Sequence, residues 1–204
     1  PRLSASNAVS AASIPDFISL AETHFSRVLR VRQMEARDVA PVAAGVEYGT
    51  VPTDWLETKT FSFTDGSVTW WLEPKPDEVI DEQWDRTGRP RFYANVADEF
   101  RFYPVPDANY TAQLTYYAAI PALSDANPAN WLLSLMPDGY LAGAMVEAAP
   151  MLRDNDALEI WTAKRDAALM EVRKATRTKA GRLRTDIPAG FHNRRAGFNI
   201  YQGW

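Results

Sequence analysis

Tyr116-Tyr117-Ala118-Ala119-Ile120-Pro121-Ala122-Leu123-Ser124-Asp125-Ala126-Asn127-Pro128-Ala129-Asn130-Trp131-Leu132-Leu133 is the stretch over which the chain changes its period. Before it, Tyr110 to Ala118 has the pattern of a strand; after it, apolar residues recur every three or four positions, as on a helix. Asn127 can accept a hydrogen bond from a free helix N–H, and Pro128 loses no bond at a first helical position. The pair predicts a short helix starting there, anchored by Trp131, Leu132 and Leu135. Asp138, one residue after Pro137, starts a second helix with an expected apolar face of Leu141, Ala144, Met145, Ala148 and Leu152. Taken one by one, these side chains read first as packing residues.

Toward the N-terminus, short runs punctuated by turn residues occupy about Ala43 to Ala118. Thr58 to Phe63 and Val68 to Leu72 flank Thr64-Asp65-Gly66-Ser67, a hairpin signature. Asp77 to Trp84 has the acids and spacing of a short helix. Arg91 to Val96, Glu99 to Tyr103 and Tyr110 to Ala118 read as strands, and Pro104-Val105-Pro106-Asp107 cannot continue a central strand. Earlier still, Ser13-Ile14-Pro15-Asp16 opens a helix on Phe17, Leu20, Ala21, His24, Phe25, Val28 and Val31 or Arg32. The spacing carries it to about Ala36, with Arg27, Arg30, Arg32 and Arg37 along its C-terminal half.

Toward the C-terminus, Asp154 or Asn155 can cap a long helix on Leu158, Trp161, Ala168, Leu169 and Val172, running to about Thr178. The predicted class is therefore α+β, with helices at about 15–36, 138–152 and 155–178 and an antiparallel β region inserted between them at about 43–118. From Arg182 onward no periodicity survives; the 23 residues could extend about 75 Å, far enough to lie on another subunit.

With 204 residues and 46% hydrophobic composition, the chain can bury a sizeable core. It has no cysteine, so disulfides and thiolate chemistry are excluded. No apolar run approaches the roughly 18–20 residues of a membrane span, and Pro1-Arg2-Leu3 does not lead into a signal-peptide core. Charge is unevenly distributed. From Arg173 to Trp204, eight basic residues face one acid, Asp186, giving +7; the other 14 basic and 25 acidic residues leave the body at −11.

Such a tail suits either a nucleic acid or an acidic protein surface. Its aromatics follow no recognisable nucleic-acid module, and the acidic body repels DNA. Extended segments rich in arginine and aromatics are also what protein interfaces use as hot spots, so docking on a protein is the favoured reading. The candidate partner-binding residues are Arg182, Arg184, Phe191, Arg194, Arg195, Phe198, Tyr201 and Trp204. Catalysis has little support. His24 and His192 have no metal-ligand spacing, and there is no phosphate loop or nucleophile elbow. The carboxylates Asp81, Glu82, Asp85, Asp98, Glu99 and Asp107 could be paired on paper, but among 26 acids such a pair is close to chance. No cofactor and no metal are expected.

The opening stretch, continued through Pro137-Asp138-Gly139-Tyr140-Leu141 to Glu147-Ala148-Ala149-Pro150, resembles the adaptor (head-to-tail connector) proteins of tailed bacteriophages, short-tailed ones especially. In that family, paired tyrosines at a strand end lead through Ile-Pro-x-Leu-Ser-Asp and Asn-Pro-x-Asn-Trp-Leu-Leu into a helix ending Glu-Ala-Ala-Pro. Ile14-Pro15-Asp16-Phe17-Ile18, Ala21-Glu22 and the basic run to Met34-Glu35 resemble the family's first helix. The resemblance covers roughly residues 13 to 175.

It implies a structural virion protein, not an enzyme, that forms a ring joining the portal to the tail and continuing the DNA channel. The ring would be dodecameric, with heterologous contacts between identical neighbours. Its partners would be the portal protein and a downstream tail or nozzle protein, with DNA passing through the lumen without specific binding and no membrane. Its place would be the head–tail interface of the virion, after assembly in the host cytoplasm. The adaptor domain would span residues 1–180, a helical bundle of the first helix and two C-terminal helices carrying the β region, and residues 181–204 would form an extended docking tail at the portal. Phe191 to Trp204 matches no family motif residue by residue. The alternative reading is a nucleic-acid-binding or DNA-packaging accessory protein, which salt-sensitive DNA binding would reveal.

Overall fold

The computed structural model describes residues 13–79 and 87–179. Helix α1, Ile14–Val28, opens with Pro15 and Asp16 in its first turn and buries Ala21, Glu22 and Phe25. It stops eight residues before the predicted end. Leu29 turns extended (φ −91°, ψ 138°) while its N–H still reaches the Phe25 carbonyl at 2.9 Å. Leu29 and Val31 are both buried, a strand-like alternation that a helical reading of this basic run overlooks.

A 3-10 turn, Arg32–Met34, leads into β1, Glu35–Val42. β1 pairs antiparallel with β10, Tyr110–Ala118, from Glu35↔Tyr117 to Val42↔Tyr110, and this non-local ladder overrides the local preference for helix. Of the four arginines assigned to the helix, only Arg27 lies on it. Arg30 pairs with Glu57 at 2.8 Å, and Arg37 on β1 donates to Gln113.

The remaining strands are β2 (Tyr48–Thr50), β3 (Trp55–Thr64), β4 (Thr69–Trp71), β5 (Glu73–Pro74), β6 (Thr87–Gly88), β7 (Phe92–Val96), β8 (Glu99–Tyr103) and β9 (Val105–Pro106). One sheet has the order β1-β10-β3-β4 and a second β2-β8-β7-β5, with β6 and β9 forming a separate pair. The predicted hairpin is present. Asp65 Oδ1 accepts the Ser67 and Val68 amides at 2.8 Å, and Gly66 takes φ +92°, a conformation that favours glycine.

The β region is not wholly antiparallel, because β5–β7 and β6–β9 run parallel. The chain leaves β4 in one sheet and enters β5 in the other through Leu72 alone, and so arrives alongside β7 in the same direction. An aromatic core sits between the two main sheets, with Phe61–Phe100 and Phe63–Phe102 centroids each 5.0 Å apart, edge to face. Asp77–Val79 are helical, and the remainder of the helix predicted to Trp84 lies outside the described residues.

After β10 come α2 (Trp131–Leu135), α3 (Pro137–Leu152) and α4 (Asn155–Lys179). The cap of α2 is Asn130, not Asn127: Asn130 Oδ1 accepts the Leu133 amide at 2.8 Å. Asn127 instead exchanges two 3.0 Å backbone bonds with Ser124 and donates its side-chain amide to Ala122 O, closing a tight loop. Leu132 is fully buried and Trp131 half-buried, whereas Leu135 is exposed.

The buried face of α3 matches the expected one at Ala148 but departs from it at Leu141, with Ala144, Met145 and Leu152 half-buried. Gly139, Tyr140, Ala142, Gly143, Ala148 and Ala149 are buried, while Leu141 is 57% exposed. Small residues win the interior because α3 packs against both α1 and α4; a Cβ on Gly143 would lie 2.6 Å from Phe25 Cζ. Asp154 caps α4 by accepting the Ala157 amide at 3.0 Å, and α4 buries Ala168, Leu169 and Val172. A single apolar cluster joins α1, the Leu29–Met34 segment, Ile120, α2, α3 and α4.

Candidate partner-binding surfaces

The stretch that decides the fold is a latch between the sheets and the helices. Buried Glu22 on α1 accepts the Tyr140 hydroxyl and the Leu123 amide, each at 3.0 Å. Asn130 donates to the same Tyr140 oxygen at 2.6 Å and to Pro121 O at 2.8 Å. Ser26 Oγ accepts the Ile120 amide. On the sheet side, Tyr116 donates to Asp54, whose own carbonyl takes the Ala119 amide. Burial and the Asp54 carboxylate push the Tyr116 phenol up to about 12. The quoted residues therefore fix the loop from both ends, and their contacts are structural, as a residue-by-residue reading predicts.

Two recesses lie at opposite edges of the paired sheets. At the β1/β2 edge the sheets part around a cleft of about 290 Å³. Phe61, Phe100 and Leu114 lie at its apolar floor, and Asp38, Ala40 and Tyr48 line it from the edge strands. At the opposite, β4/β5 edge, Trp71 stands 65% exposed beside a second recess of about 420 Å³. Trp70 turns inward and donates its indole N–H to Pro90 O at 2.6 Å, and Arg89 stacks over its ring at 3.6 Å. Arg91 lines the same recess, and Lys75 lies over the neighbouring Phe92 ring. Sequence reading missed this edge. The signal was present: in Thr69-Trp70-Trp71 consecutive side chains on a strand point to opposite faces, so one indole must face outward.

The tail residues Arg182, Arg184, Phe191, Arg194, Arg195, Phe198, Tyr201 and Trp204 lie outside the described residues, as does His192. Arg173, counted with the basic tail, instead donates to Val28 O at 2.7 Å at the C-terminal end of α1, where a cation is favourable. Among the carboxylates, Asp98 and Glu99 sit at the β7–β8 turn and Asp107 accepts the Tyr110 hydroxyl, while Asp81, Glu82 and Asp85 lie outside the described residues. Among the described residues, no group of three or more His, Cys, Asp or Glu could hold a metal ion, and no helix is long and apolar enough to cross a membrane.

Burial holds the His24 imidazole below its ordinary pKa, and nearby Arg165 adds to the effect. The folded imidazole takes up its proton less readily than the unfolded one. Its contribution to stability is thus present above the ordinary value of 6.5 and is lost as pH falls below it. His24→Gln is expected to lessen the loss of stability between about pH 7.5 and about pH 5. Denaturant titrations of both proteins at the two values test this, and identical losses would contradict it.

No curated protein matches the chain. Compared with known families, residues 2–186 match the one described as SU10 adaptor protein. The match spans both blocks that carry the resemblance to phage adaptors, together with the latch that joins helices to sheets. The chain belongs to the SU10 adaptor protein family.

Proposed function

We propose that this protein is a structural component of a phage virion whose copies form a ring between portal and tail and continue the DNA channel. The family match over residues 2–186 carries the reading. In the ring, α1, α3 and α4 make up a helical bundle that carries the sheets as a platform toward the tail. Residues 181–204 dock on the portal, with Arg194 and Arg195 meeting acidic groups and Phe191, Phe198, Tyr201 and Trp204 burying their rings. The contacts among copies are heterologous and close into a dodecamer. No step in this role needs catalysis.

Deleting Phe191 to Trp204 tests the docking role. The truncated body is expected to keep its circular dichroism and melting transition but lose attachment to portals; unchanged occupancy would contradict the assignment. The acidic body is expected to line the DNA path without gripping it, since each fixed phosphate contact would add salt-dependent affinity and friction. Strong, salt-sensitive DNA binding by the isolated chain would favour an accessory packaging protein instead.

A further inference from the structure

We infer that the two opposite edges of the paired sheets are the two halves of the contact between neighbouring copies: Trp71 of one copy enters the β1/β2 cleft of the next. The inference rests on the ring reading and names the surfaces that would build it. Strand order places the halves apart, because β1 and β4 are the outer strands of one sheet and β2 and β5 the outer strands of the other. The cleft lies where β1 meets β2, and the Trp71 edge where β4 meets β5.

The edges complement each other in shape and charge. One projects an indole that is 65% exposed; the other is an apolar recess of about 290 Å³. Arg89, Arg91 and Glu73 line the recess beside Trp71, and Lys75 lies over the Phe92 ring at its margin. Beside the cleft stand Asp38, whose carboxylate accepts the Val39 amide, and Glu99, paired in register with the cleft residue Thr50. Neither edge suits a copy of itself. Two Trp71 edges would bring arginines together, and two clefts would leave both unfilled. Such a pair of patches makes a head-to-tail contact, which closes into a ring when the rotation between copies permits. Tryptophan and arginine are also the residue types that most often dominate such contacts.

The β1 edge is suited to receive a side chain rather than a strand. Pro41 has no N–H to offer, and the Val39 N–H is already bonded to Asp38. The occupant is therefore the Trp71 side chain with its flanking cations.

The test measures assembly of the full-length chain, alone and on isolated portals, by sedimentation and electron microscopy. Trp71→Ala, Arg91→Glu and Asp38→Arg are each expected to weaken the contact about thirtyfold. Arg91→Glu combined with Asp38→Arg is expected to recover much of the loss. Because Trp71, Arg91 and Asp38 are exposed, each variant is expected to melt as the wild type does. Wild-type rings together with unimpaired Trp71→Ala rings would overturn the edge contact and leave the ring reading standing; a wild type that closes no ring under either condition would overturn both. Loss of DNA binding with intact rings in Trp71→Ala would make the edge a nucleic-acid surface. Loss of rings on deleting residues 181–204, with Trp71→Ala unimpaired, would make the tail the occupant of the cleft. Either result overturns the inference.

Discussion

Replacing Phe25 with Ala is expected to lower the unfolding free energy by about 3–5 kcal/mol. Phe25 is fully buried, packs edge to face on Tyr140 at 5.5 Å, and lies against the bare backbone of Gly143. Little can move in to fill the space, because α3 meets the ring through the bare backbone of Gly143, and Tyr140, which packs on the ring, is held in place by its hydroxyl bonds to Glu22 and Asn130. The same geometry makes Gly143→Ala destabilising in the wild type, with its new Cβ 2.6 Å from the ring and 3.1 Å from Ala21 Cβ. Combined with Phe25→Ala, that cost is expected to shrink, since the nearer obstacle is gone. Denaturant unfolding of the two single variants and the double measures both effects. A loss below about 1 kcal/mol for Phe25→Ala would show that the helices repack freely, contrary to this account.

Glu22→Ala is expected to cost about 2–4 kcal/mol, because it leaves a buried donor, the Tyr140 hydroxyl, and a part-buried one, the Leu123 amide, without their acceptor. Glu22→Gln retains an amide oxygen that can serve both donors, and most of the stability is expected to remain. The loss is also local. In Glu22→Ala the Leu123 amide is expected to exchange its hydrogen much faster, while amides in the β3–β10 ladder keep their protection relative to global unfolding. If Ala and Gln at this position are equally stable and the Leu123 amide stays protected, the latch does not act through the Glu22 carboxylate.

The strands most legible in the sequence were those whose local pattern and pairing agree. Thr64-Asp65-Gly66-Ser67 combines an Asx turn with a glycine at positive φ, and its hairpin is present. Glu99 to Tyr103 and Tyr110 to Ala118 coincide with β8 and β10. Errors arose where tertiary contacts decide. Leu29 to Ala36 is composed of residues that tolerate a helix, and only pairing with β10, some eighty positions away in the chain, draws Glu35 and Ala36 into a strand. The buried face of α3 could not be seen from its large apolar residues, because this helix, packed on two neighbours, buries glycines and alanines together with Tyr140. Asn127 and Asn130 both fit the sequence rule for a helix cap. The choice fell to Asn130, whose side chain also reaches Tyr140 and Pro121. The outward Trp71 was detectable from strand alternation, but its cationic surroundings depend on Arg89 and Arg91, brought close through pairing at β7.

Copies of this chain are proposed to form a ring at the junction of portal and tail. Reconstruction of a portal-containing particle by electron cryo-microscopy tests it most directly, because position, copy number and contacts emerge together. The expected density is a closed ring of this chain directly beneath the portal, with an open central channel. Particles in which the chain is absent from that junction, or lies scattered along the packaged DNA, would contradict it.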